Sequence, residues 1–177
     1  FGAGRKENNL TRGGKKGVNL EIKGAYEMYS AKGNHIIKAI TEHKAVLDTG
    51  KHVEKSGGEV TYLSVKADGL VDLKEMEAAI KPVTIMIAIM YANNEIGTIQ
   101  PIREISAIAR KHGVLFFTDA TQAVGKIPVD VNRDGIDLMA FCAHKMYGPK
   151  GVGALYVRGG NQRVKVTGEG SEEGRWG

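Results

Sequence analysis

The sequence has 177 residues, enough for one sizeable hydrophobic core, and its 42% apolar and 25% charged residues are ordinary for a globular domain. No apolar run approaches the ~20 residues that cross a bilayer, and a single cysteine, Cys142, excludes an internal disulfide framework and a multi-cysteine metal site. The net charge of +5 is local: Arg5, Lys6, Arg12, Lys15 and Lys16 against Glu7 place +4 of it in residues 1–17, and without interleaved aromatics no nucleic-acid partner is expected.

Residues 1–17 are rich in Gly, Lys, Arg and Asn and read as an irregular basic segment. Gly2-Ala3-Gly4-Arg5-Lys6-Glu7 begins like a dinucleotide fingerprint, but it has Glu where the third glycine belongs and no strand before it. Val18 to Lys32 reads as a helix, with Asn19 as cap and Gly33 as stop. His35 to Ile40 reads as a short strand that delivers Thr41-Glu42-His43 to its C-terminal end. A helix from Lys44 to about Ser56 follows, then a strand over Glu59 to Val65, then a helix capped by Asp72 and closed by Pro82.

Thr84 to Ala92 is apolar and β-branched and reads as a central strand buried on both faces, delivering Asn93-Asn94-Glu95. Pro101 suits the first turn of a helix over Ile102 to Lys111, which His112-Gly113 ends. Val114 to Thr118 is the next buried strand and delivers Asp119, with Thr121 and Gln122 beyond. Ile136 to Cys142 delivers His144 and Lys145, and Gly153 to Val157 closes the series. Strands alternating with helices imply an α/β fold with a mostly parallel sheet flanked by helices. Such sheets bind ligands outside the carboxyl ends of their strands. His43, Asn94, Asp119 with Gln122, and His144 with Lys145 all fall on that rim, so one shared site is expected.

The residue types suggest what that site does. Lys145 is an amine that can attack a carbonyl and hold a Schiff base. An aspartate at a buried strand end needs a cationic partner, and the protonated nitrogen of a pyridine ring is one. His43 offers a flat ring and a mobile proton. Asn94 and Gln122 can hydrogen-bond a phenolic oxygen, and His144 with the amides of the following turn can hold a phosphate.

Four runs carry a specific resemblance: Thr41-Glu-His-Lys-Ala-Val-Leu-Asp, Asn93-Asn-Glu-Ile-Gly, Asp119-Ala-Thr-Gln-Ala-Val-Gly-Lys and His144-Lys-Met-Tyr-Gly-Pro-Lys-Gly-Val-Gly-Ala-Leu-Tyr-Val. In order and spacing, over residues 18–166, the chain resembles cysteine desulfurases of the iron–sulfur cluster and nitrogenase-maturation branch, which are class V aminotransferase-like. The resemblance implies pyridoxal 5'-phosphate as cofactor, no metal, and an incomplete large domain of the aspartate aminotransferase type. By it, Lys145 carries the cofactor, His43 stacks on its ring and serves as acid/base, Asp119 pairs with the ring nitrogen, and Asn94 and Gln122 lie near the ring oxygen. Ala3, Cys142, Ala143 and His144 occupy phosphate-holding positions.

The resemblance further implies L-cysteine as substrate, L-alanine and a persulfide as products, a homodimer, and an iron–sulfur scaffold or other sulfur-acceptor protein as partner, with no membrane. A lone cysteine and the lack of a targeting segment fit the cytoplasm, or mitochondria in a eukaryote. Residues 18–166 would be the cofactor-binding domain and 167–177 a truncated tail. The persulfide-forming cysteine of the family has no counterpart here, so the isolated chain is expected to be inactive. Two departures weaken the phosphate end: the family's Gly-Ala-Thr is disrupted around Ala3, and Cys142 stands where it has serine. The alternatives are a non-catalytic fragment that keeps the fold, or another pyridoxal-phosphate lyase such as a selenocysteine lyase.

Overall fold

The computed structural model describes residues 8–11, 22–24, 26–27, 31–93, 95–142 and 153–159. The sequence readings at Ala3, Asn19, Asn94, Ala143, His144, Lys145 and 160–177 lie outside the described residues. Seven described strands build one sheet: β1 (Asn8–Thr11), β2 (His35–Ala39), β3 (Glu59–Leu63), β4 (Thr84–Ala88), β5 (Leu115–Asp119), β6 (Leu138–Cys142) and β7 (Gly153–Val157). Their spatial order is β1-β7-β6-β5-β4-β2-β3. β3, β2, β4, β5 and β6 are parallel, while β7 and β1 add antiparallel to the β6 side.

Three described helices stand between strands: α1 (Lys44–Lys55), α2 (Leu73–Ala78) and α3 (Ile102–Lys111), and residues 22–24 and 26–27 are also helical. Successive strand side chains point to opposite faces, and both faces are covered. Ile37, Ile87, Phe116 and Met139 pack with Met76 of α2 and Ile105 and Ala109 of α3. Ile36, Met86, Phe117 and Leu138 pack on the other face with Val46 and Val53 of α1 and with Ile22 and Tyr26. Every residue of β2, β4 and β5 is buried, which explains why β4 and β5 read as apolar runs rather than alternating ones.

Several expected boundaries move for identifiable reasons. β4 stops at Ala88 rather than Ala92 because its ladder becomes one-sided. Ile89 and Tyr91 still donate to the Phe117 and Asp119 carbonyls of β5, at 3.2 and 2.9 Å. On the β2 side, however, the Met90 N–H goes to a side chain, Glu42 Oε1. β5 starts and ends one residue later than expected, so Asp119 is its last residue. Asp72 caps α2 as expected, accepting the Lys74 and Glu75 N–H groups, whereas Pro101 sits at the cap of α3 rather than in its first turn.

The irregular reading of residues 1–17 is corrected at Asn8–Thr11. These residues pair antiparallel with β7, Asn8 opposite Tyr156 and Thr11 opposite Gly153. An edge strand recruited by main-chain bonds needs no apolar pattern, so periodicity could not reveal it.

A crevice at the strand ends

The connections leaving β2 and β4 diverge. β2 leads through α1, on one face, to β3 on its outer side; β4 leads through α3, on the other face, to β5. In parallel α/β sheets this divergence opens a crevice at the carboxyl ends, where ligands bind. His43, directly after β2 and directly before α1, stands at this opening and is exposed. Its carbonyl accepts the N–H groups of Val46 and Leu47, at 2.8 and 3.1 Å, which fixes its backbone to the first turn of α1.

Asp119 ends β5, one strand beyond β4. It is 8% exposed, its Oδ1 accepts the Thr121 N–H at 3.0 Å, and it forms no ion pair among the described residues. A nearly buried carboxylate without a cation is costly, so this carboxylate is poised for a cationic ligand group. Gln122 lies three residues further on; its Oε1 accepts Lys126 Nζ at 2.9 Å. Cys142, the last residue of β6, is buried, and Thr121 Oγ1 stands 3.9 Å from its Sγ. Main-chain bonds from Tyr91 to Asp119 and from Ala120 to Ala140 link these positions across β4, β5 and β6. With strands ~4.8 Å apart, the β2 and β5 ends are about 10 Å apart across β4.

The structure thus brings His43, Asp119, Gln122 and Cys142 to one rim. A depression of about 400 Å³ between Val124 and Arg133 includes none of them.

Sequence reasoning missed three residues of this rim. Asn93 Nδ2 donates to the Thr41 carbonyl at 3.2 Å, and its Oδ1 accepts the Glu95 and Ile96 N–H groups at 2.8 and 3.3 Å, so it holds the turn on either side of position 94. Glu42 is 5% exposed, with Oε1 on the Met90 N–H at 2.7 Å and Oε2 buried without a partner. Burial pushes its carboxyl up to about 8, with Asp119 adding to the rise and the Met90 N–H and Lys38 opposing it. Lys38 is fully buried in β2 and donates Nζ to the Val46 carbonyl; burial pulls its amine down to about 8 against the pull of Glu42 and Glu54. A lysine inside an otherwise apolar strand, and a glutamate between Thr41 and His43, were the available signals.

The sequence pattern of the Aminotransferase class-V family matches residues 2–172. The chain is 55% identical over 157 residues to the cysteine desulfurase IscS of Glaesserella parasuis, covering 89% of this chain and 39% of that protein. It is 51% identical over 178 residues to a probable mitochondrial cysteine desulfurase of Dictyostelium discoideum, covering 98% of this chain and again 39% of that protein. The chain therefore spans well under half the length of these curated relatives. Among solved structures, SspA in complex with cysteine superposes with a TM-score of 0.87 at 42% identity, over 92% of this chain and 47% of that one. A NifS-like protein superposes at 0.88 and 37% identity, over 93% and 45%.

Proposed function

The chain belongs to the aminotransferase class-V family, and from that premise we propose that it is the cofactor-binding part of a cysteine desulfurase that uses pyridoxal 5'-phosphate. The observation that carries this reading is Asp119: a nearly buried carboxylate at the end of β5, without a cation among the described residues, beside the crevice at the β2–β4 divergence. The donor set fits the cofactor. Asp119 would hold the proton of the pyridine nitrogen, His43 would cover the ring and move a proton, and Gln122 Nε2 with Asn94 would donate to the ring oxygen. Lys145 would hold the aldehyde carbon through its amine, and Ala3, Cys142, Ala143 and His144 would surround the phosphate. When bound, pyridoxal phosphate supplies an electron sink that weakens bonds at the substrate's α-carbon.

The substrate would be L-cysteine. A separate protein thiolate attacks its sulfur, the carbon–sulfur bond breaks, and the β-carbon takes up a proton to leave L-alanine and a protein persulfide. His43 is the group at the rim suited to carry protons in this sequence. The similarity to IscS proteins supports delivery of the sulfur to iron–sulfur cluster assembly by a homodimer with a scaffold or acceptor protein, in the cytoplasm or in mitochondria. No described helix is long and apolar enough to cross a membrane. Residues 18–166 would form the cofactor-binding domain.

The test is the visible absorbance of the purified protein. It is expected to show a cofactor band that shifts on adding cysteine, and Asp119→Asn is expected to change the pH dependence of that band. No band, or a band that ignores cysteine, would overturn the reading.

The phosphate end yields a second expectation. A thiol is a much weaker donor than a hydroxyl, and a hydrogen bond to a charged group contributes about 1.5–3 kcal/mol. Cys142→Ser is therefore expected to tighten cofactor binding by roughly 10- to 100-fold in an equilibrium titration. Unchanged affinity would remove Cys142 from the phosphate site.

A further inference from the structure

Glu42 is buried just past the end of β2, beside His43, yet the reaction sequence above assigns it no step. Its Oε1 bonds the Met90 N–H at the point where β4 leaves β2, so this side chain replaces the ladder bond that ends there. A second bond, Asn93 Nδ2 to the Thr41 carbonyl, ties the same two segments together. We propose that Glu42 is a positioning residue whose carboxyl is uncharged in the folded protein, pinning the His43 turn to the end of β4. Its purpose rests on the cofactor reading above; its protonation does not.

The geometry carries the argument. Glu42 is 5% exposed and forms no ion pair among the described residues, and an unpaired buried carboxylate is far costlier than a neutral acid. A neutral acid is compatible with the bonding: its carbonyl oxygen accepts the Met90 N–H, and the proton sits on the other oxygen, which is buried without a partner among the described residues and would be costlier still if charged. Three charged groups face this neighbourhood. Asp119, from β5, repels a charge on Glu42. Lys38, from β2, attracts one, but its Nζ is held by the Val46 carbonyl. Glu54, from α1, acts on Lys38. The main-chain carbonyl of Asp119 accepts the Tyr91 N–H and the side chain of Glu42 accepts the Met90 N–H, so the two residues hold consecutive positions just past the end of β4 from either side. A charge on Glu42 would add a second negative charge beside the Asp119 carboxyl, which raises its cost further.

The decisive measurement is a pH titration of the purified wild-type protein with ¹³C-labelled glutamate carboxyls, alongside the infrared band of protonated carboxyl groups. One glutamate is expected to stay protonated at pH 7 and to titrate near 8. Its infrared band should be lost in Glu42→Gln and kept in Asp119→Asn. If every glutamate titrates in the acid range, the proposal is overturned, and this outcome needs no variant to fold. The positioning role has its own readout: Glu42→Gln, which keeps the acceptor oxygen, is expected to preserve the cofactor band, whereas Glu42→Ala is expected to shift it. Equal shifts in both would overturn that role. A wild-type protein without any cofactor band would instead defeat the cofactor reading and leave the carboxyl titration to decide the protonation.

Discussion

A polypeptide of residues 1–177, supplied with pyridoxal 5'-phosphate, cysteine and a reductant, is expected to release no alanine and sulfide over repeated cycles. Desulfuration needs a thiolate that reaches the substrate sulfur, and Cys142 is the only thiol in the sequence. It is the last residue of β6, paired with Gly153 of β7, buried, and in contact with the Thr121 hydroxyl. Pairing with β7 holds its backbone in the sheet, so its sulfur cannot travel across the rim to a substrate above Asp119. Low thiol exposure further slows attack on any sulfur. Alanine and sulfide in stoichiometric amounts over many turnovers would falsify the expectation. Activity that vanished in Cys142→Ala would show that this thiol, despite its place in the sheet, is the nucleophile.

The outer features of the fold were legible because they are written in local patterns. α3 was read to the residue, since Pro101 precedes it, Glu104 stands in its first turn, Arg110 and Lys111 in its last, and Gly113 follows at φ +68°. β7 was equally clear as an apolar run between glycines. What escaped depends on partners distant in sequence. β1 exists because the open edge of β7 takes it, which no pattern in Asn8–Thr11 announces. β4 ends where Glu42, 48 residues earlier, takes the Met90 N–H. The rim residues His43, Asp119 and Gln122 were legible as polar groups following apolar strands. Glu42 and Lys38 were not: Lys38 reads as an exception in an apolar strand, and Glu42 as one more polar residue between Thr41 and His43, until their burial is known.

These two buried groups give the fold an expected stability minimum near pH 8. The slope of unfolding free energy with pH follows the protons bound by the unfolded chain minus those bound by the folded one. The folded pKa of Glu42 is raised, from 4.5 to about 8. Between these values the folded protein keeps a proton the unfolded chain has lost, so stability falls as pH rises through this window. The folded pKa of Lys38 is lowered, from 10.5 to about 8. Between these values the unfolded chain holds a proton the folded protein has released, so stability recovers as pH rises from about 8 toward 10.5. At about 1.4 kcal/mol per unit, the falling limb amounts to at most about 5 kcal/mol and the rising limb to at most about 3.5 kcal/mol, both upper figures because the attraction between Lys38 and Glu42 couples them. Denaturant unfolding at intervals from pH 5 to 10 measures the profile. Glu42→Gln is expected to flatten the limb below pH 8 and Lys38→Met the limb above it, with Lys38→Met more stable than wild type at pH 7 because no buried amine remains to be charged. Wild-type stability that rises steadily from pH 5 to 8 would mean that Glu42 is ionised in the fold, and the uncharged carboxyl beside Asp119 would have to be abandoned with it.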